Sequence, residues 1–108
     1  MSNIAIPSWM TLAADRVTVK LSVPFEANSV RVDTLSLRAP TVRDLRVARQ
    51  TAPNDAEQQD LNLFASLAEV GAKDLDGMTL KDYARLEAGY FRLVRDDELQ
   101  PDSAETTR

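Results

Sequence analysis

A single proline between two different hydrophobic rhythms constrains this chain most. The stretch Leu35-Ser36-Leu37-Arg38-Ala39-Pro40-Thr41-Val42-Arg43-Asp44-Leu45 opens with apolar residues at every second position and closes with them at helical spacing. Alternation belongs to a strand with one buried face, whereas a spacing of three to four residues keeps side chains on one side of a helix. Pro40 disfavours helical geometry at Ala39, and Thr41 with Asp44 three residues later has the form of a capping box in which Asp replaces Glu. A strand therefore ends here and a helix begins, with Pro40, Thr41 and Asp44 as the structural junction.

Upstream, Val17, Val19, Leu21 and Val23 alternate with Thr18, Lys20 and Ser22, the signature of a half-buried strand, which Pro24 is expected to end. Residues 25–29 then connect, with Asn28 best able to accept a positive φ. A second run, Val30 and Val32 followed by Leu35 and Leu37, slips phase once, which predicts a bulge or bend near Asp33-Thr34. The two runs make an antiparallel hairpin over 16–38. A two-stranded hairpin is marginal in water, so its apolar face needs the helices that follow.

Three helices are expected. The first, about 42–50, has a narrow stripe of Val42, Leu45 and Ala48 and stops at Thr51-Ala52-Pro53. The second, about 55–70, starts from a capping box of Asn54 and Glu57 and ends with Gly71 as its C′ residue; it carries adjacent stripes of Leu61, Phe64, Ala68 and Leu63, Leu67, Val70. After a turn over 72–78, Thr79 and Asp82 cap a third helix over 80–95, with Tyr83, Leu86, Tyr90, Leu93 on one stripe and Leu80, Ala84, Ala88, Phe91 on another. The expected fold is α+β, mainly α: a two-stranded antiparallel hairpin packed on a small three-helix unit. Residues 1–15 read as a flexible arm whose Trp9 packs on the body, 16–95 as one domain, and the polar, acidic 96–108 as a disordered tail.

The residue inventory removes most chemistry. With no cysteine, disulfides, thiolate metal sites and thiol nucleophiles are excluded, and with no histidine the commonest general base and transition-metal ligand are missing. Neither a catalytic site, a metal site nor a cofactor is expected. Asp74-Leu75-Asp76-Gly77 resembles the start of a calcium loop, but Met78, Thr79 and Arg85 stand where such a loop needs an oxygen ligand, a glycine and a glutamate. It reads as a solvated turn. The net charge of −4 argues against nucleic acid, and no apolar run approaches the ~20 residues of a membrane span. The first residues lack the basic and apolar regions of a signal peptide, so a cytoplasmic location is expected.

Two features remain as partner-binding candidates. Arg43, Arg46 and Arg49 recur every three residues on the first helix, with Arg38 just upstream, and can form a solvated face or a basic patch for an acidic surface, the chain's own tail included. The same stripe supports an alternative reading as a small DNA-binding regulator; the long gap between the second and third helices does not fit a helix-turn-helix. The wide apolar faces of those helices exceed what a small core needs, and Phe64, Tyr83, Tyr90 and Phe91 are of types enriched at interfaces.

The run VTVKLSVP, then VRVDTLSLRAPTVRDL, then AEVGAKDLDGMTLKDYARLEAGYFRL resembles the phage tail assembly chaperones of the E, 41 and 14 type. The likeness rests on a junction of Leu35, Leu37, Arg38, Pro40, Thr41, Asp44 and Leu45, and on a later segment of Asp74, Leu75, Met78, Asp82, Tyr83 and Leu86. It spans roughly residues 17–94. Ala27-Asn28-Ser29 departs from the glycine often found in the family's hairpin turn, and residues 1–15 extend beyond the family's usual start. The resemblance implies a non-enzymatic factor of the host cytoplasm, absent from the mature virion, that holds the tape measure protein soluble until the tail tube polymerises. The tail tube subunit and a second copy of the chain are further candidate partners.

Overall fold

A computed structural model describes residues 6–95. Strands β1 (Met10–Leu12), β2 (Arg16–Ala27) and β3 (Val30–Arg38) form an antiparallel sheet in the order β1-β2-β3, followed by helices α1 (Val42–Thr51), α2 (Ala56–Ala68), α3 (Ala72–Leu75) and α4 (Leu80–Val94). The expected tail, 96–108, lies outside the described residues.

The sheet has three strands rather than the expected two. Met10–Leu12, read from sequence as part of the arm, pairs with Val17–Val19 of β2, and the Lys20 N–H donates to the Trp9 carbonyl. Three residues are too few to show a period, but Met10 fills a core position that the hairpin leaves open. Trp9 packs against the core as expected, and the Arg85 guanidinium lies 5.1 Å from its ring centroid.

The second departure concerns β2, which runs through Pro24 to Ala27 instead of stopping there. Asn28 and Ser29 both have positive φ, 54° and 68°, so the hairpin closes through a two-residue turn of the primed kind that suits strand twist. The register is regular from Arg16↔Arg38 to Lys20↔Thr34 and resumes at Phe25↔Val32, so residues 21–24 oppose Asp33 alone. The irregularity falls where the phase slip of β3 predicts it, while the extra residues belong to β2. It lets Val17, Val19, Leu21, Phe25 and Ala27 share one buried face with Leu35 and Leu37.

That face is covered by α4 lying over β2 and α2 over β3. Val17, Val19, Leu37, Leu67 and Leu86 are fully buried, and burial of such side chains stabilises by roughly 1.5 to 3 kcal/mol each. At the crossing, a Cβ on Gly89 would stand 3.1 Å from Val19 Cγ2 and 3.2 Å from Val17 Cγ1, so glycine sets how closely α4 can approach β2. Helix α1 packs mainly on α2 and lies outside this sandwich.

Caps and breaks are partly those expected. Thr41 caps α1 in a complete capping box with Asp44, and Thr79 caps α4 by accepting from the Asp82 N–H. At α2 the cap is Asp55, which accepts from the Gln58 N–H, while Asn54 takes a positive φ of 65° in the turn before it. Glu69, not Gly71, ends α2 in the left-handed region, φ 61°, with the Val70 N–H returning to the Ala65 carbonyl in a Schellman-type closure. Gly71 instead starts α3, a turn of helix within the segment read as a turn.

Candidate functional site

Three side-chain clusters result, and they sort the sequence candidates into structural and available ones. At the junction, Arg38 Nη1 and Nη2 donate to the Asp44 Oδ2 and Oδ1 at 2.8 and 3.0 Å, and Nη2 also reaches Ser66 Oγ on α2 at 3.3 Å. The Thr41 N–H donates to the same carboxylate at 2.8 Å. Arg38, then the Thr41 N–H, hold the Asp44 carboxyl well below the usual carboxylate range, and Asp44 in turn raises the Arg38 guanidinium. A forked guanidinium–carboxylate pair of this kind fixes geometry. Arg38 is thus occupied in joining β3, α1 and α2.

A second polar knot ties the sheet to α4. Asp82, 1% exposed, receives the Ser22 N–H on Oδ1 at 2.8 Å and the Val23 N–H on Oδ2 at 3.4 Å. These are residues of the irregular stretch of β2. Burial pushes this carboxyl up, but the N–H groups of Ser22 and Val23 outweigh it, and the group titrates below its usual range. Arg85 donates to the Lys20 carbonyl at 2.8 Å alongside. The hairpin tip is held separately, with the Asn28 N–H on Asp74 Oδ2 and the Asn28 amide on the Glu69 carbonyl. Asp74 also accepts the Gly71 N–H, so it acts as an internal tether. Among the described residues no group of three or more His, Cys, Asp or Glu could hold a metal ion.

The third cluster is aromatic. Phe64 meets Tyr83 edge-on at 5.6 Å and Tyr90 at 5.2 Å, and Tyr90 meets Phe91 at 5.6 Å. Phe64 is buried at the α2–α4 contact, with the two tyrosines half-buried around it. Burial, helped by the negative charges of Glu87, Asp60 and Glu57, pushes the Tyr83 phenol up to about 12. The structure brings these four residues together, but only Phe91, 55% exposed, stands clear of the body.

Phe91 has company that the aromatic criterion did not select. Leu80 is 85% exposed and Val94 47%, and Ala84 is exposed between them. Leu80, Ala84, Glu87, Phe91 and Val94 follow one another at steps of four, three, four and three residues, the spacing of a helix-pairing seam. That spacing was visible in the sequence. Beside Leu80 a groove of about 240 Å³, lined by Leu61, Leu75, Met78 and Tyr83, separates α2 from the start of α4. Arg43, Arg46 and Arg49 stand exposed on α1, apart from this face.

The structure defines a small sheet-and-helix module that presents an apolar helix face beside a groove. Residues 18–95 match the family of phage tail assembly chaperone proteins, E, or 41 or 14, and the chain belongs to that family. No curated protein and no solved structure matches it. The matched span begins within β2 and ends after α4, so it contains the hairpin, both polar knots and the outer face of α4. No helix of the described residues is long and apolar enough to cross a membrane.

Proposed function

We propose that this chaperone binds the tape measure protein of the tail and keeps it soluble until tail tube subunits polymerise around it, acting in the host cytoplasm and leaving before the virion matures. The outward stripe of Leu80, Ala84, Phe91 and Val94 carries the reading. A long helical protein exposes apolar seams that aggregate, and a seam of matching period beside a groove can mask one of them. Family membership favours a protein partner over the DNA-binding alternative. Once the tube has grown around the tape measure protein, tube subunits would compete for the same seams, which makes them a second candidate partner.

Co-expression with the tape measure protein encoded by the same phage tests this. The unmodified chaperone should move that protein into the soluble fraction and co-purify with it. Leu80→Glu with Phe91→Glu should abolish both effects while the unfolding free energy of the chaperone alone, from urea titration, changes by no more than ~0.5 kcal/mol per position, because both positions are exposed. A tape measure protein that stays insoluble beside the unmodified chaperone would sink the reading.

A further inference from the structure

The outward face of α4 is bordered by charge of one sign on its α2 side, and that charge selects what can cover it. At the centre of the seam stands an acid, Glu87, between Ala84 and Phe91 and seven residues from both Leu80 and Val94, which keeps it on their side of the helix. The groove beside Leu80 has an apolar lining of Leu61, Leu75 and Met78 and two acids among its walls, Glu57 and Asp76. Asp60 is exposed one turn along α2 from Glu57. Tyr83, which lines the same groove, marks where these groups converge. Burial first, then the charges of Glu87, Asp60 and Glu57, push its phenol up to about 12.

Among the described residues none of these four acids makes a hydrogen bond or an ion pair. They differ in this from Asp44, Asp74 and Asp82, which are engaged by the fold itself. Lys81 is exposed on the same helix, but two residues from Tyr83 it projects from nearly the opposite side. Arg92 and Arg95 lie at the far end of α4 from the groove. A second copy of the chain fits this surface badly. Pairing two such seams about a two-fold axis, parallel or antiparallel, sets Glu87 against Glu87 at the centre, and like charges juxtaposed in an interface are costly.

We propose that the segment taken by this face is a basic amphipathic helix. Its apolar residues, at matching period, lie on Leu80, Ala84, Phe91 and Val94; one Lys or Arg stands opposite Glu87, and further basic residues run along the edge facing Glu57, Asp60 and Asp76. This rests on the reading of the seam as the chaperone's binding face, and it names the kind of tape measure segment which that face recognises. Apolar contact supplies attachment. The acids reject helices whose apolar stripe is edged by like charge, so one stretch of a long partner is chosen over others.

Helical peptides of about three heptads that share one leucine seam, with the polar positions in and beside it all Lys, all Gln or all Glu, test this by fluorescence anisotropy against the full-length chain at about 0.1 M salt. The Lys peptide should bind ~10-fold or more tightly than the Glu peptide, with Gln between them. Glu57→Lys, Asp76→Lys and Glu87→Lys together should reverse that order. The same charge change at exposed positions elsewhere, Asp15→Lys, Glu26→Lys and Asp33→Lys, should preserve it. Circular dichroism checks folding, and the milder set Glu57→Gln, Asp76→Asn and Glu87→Gln should remove the preference without reversing it. Equal binding of the three peptides, no binding by any, or a preference altered as much by the remote set as by the groove set overturns the proposal. A dimer in sedimentation that Phe91→Glu dissociates also overturns it, and assigns the face to a second copy. Solubilisation of the tape measure protein by the reversed variant at the unmodified level overturns it too, while leaving the function proposed above in place.

Discussion

Asp82 joins two parts of the chain with one side chain: its N–H completes the cap of α4, and its carboxylate receives two N–H groups of β2 that the irregular register leaves without strand partners. Replacing it strands buried donors, each worth ~1 to 3 kcal/mol when unpaired. Asp82→Ala is therefore expected to lower unfolding free energy by about 2 to 3 kcal/mol in urea titration, and Asp82→Asn by less because one acceptor oxygen remains. The acid limb follows from the same residue and from Asp44. Both carboxyls titrate lower when folded than when unfolded, so the unfolded chain binds more protons at low pH and stability rises with pH. Their contribution is complete above the unfolded value of about 4 and is lost as pH falls below it. Urea midpoints measured from pH 6 downward should fall on acidification, and Asp44→Asn should make that fall shallower.

Among the elements, α4 is tuned at both faces. Gly89 lets its inner face lie against Val17 and Val19, neither of which has room to give. Gly89→Val should therefore cost about 2 kcal/mol or more by overpacking, despite replacing a poor helix former, readable as a lowered melting temperature. How far the elements were legible depended on range. Thr41 and Asp44 announced α1 because a capping box is complete within four residues. The phase slip in β3 announced the irregular register, since a strand must keep one face buried. The role of Asp82 was hidden because its partners lie across the fold, Ser22 being sixty residues away, and that of Arg38 because pairing with Asp44, six residues on, follows no strand or helix period. Gly71 looked like the end of α2, yet Glu69 took the left-handed position, and its carbonyl accepts from the Asn28 amide, a partner forty-one residues away that no local pattern announces. For the candidate surface, residue type misled where spacing would not: Phe64 is aromatic and buried, and Leu80 is aliphatic and exposed.

For the whole molecule, the sheet and α4 form the stable centre and α1 the periphery. β2 is enclosed by β1, β3 and α4, whereas α1 rests mainly on α2 with Val42 and Val47 in solvent. Native-state hydrogen exchange should show the slowest amides in Val17–Leu21, at the free energy of global unfolding, and faster exchange through local opening in α1. Slowest exchange in α1 would contradict this hierarchy.

The latch between Asp82 and the N–H groups of Ser22 and Val23 also sets a clock. The hairpin is synthesised early, but the β2 half of its apolar face stays uncovered until α4 has left the ribosome, and the two N–H groups wait as long for their acceptor. Contacts so distant in sequence close late and slow the search for the native state. A chaperone built this way has its own interval of exposure, and during synthesis it is for that time the aggregation-prone party.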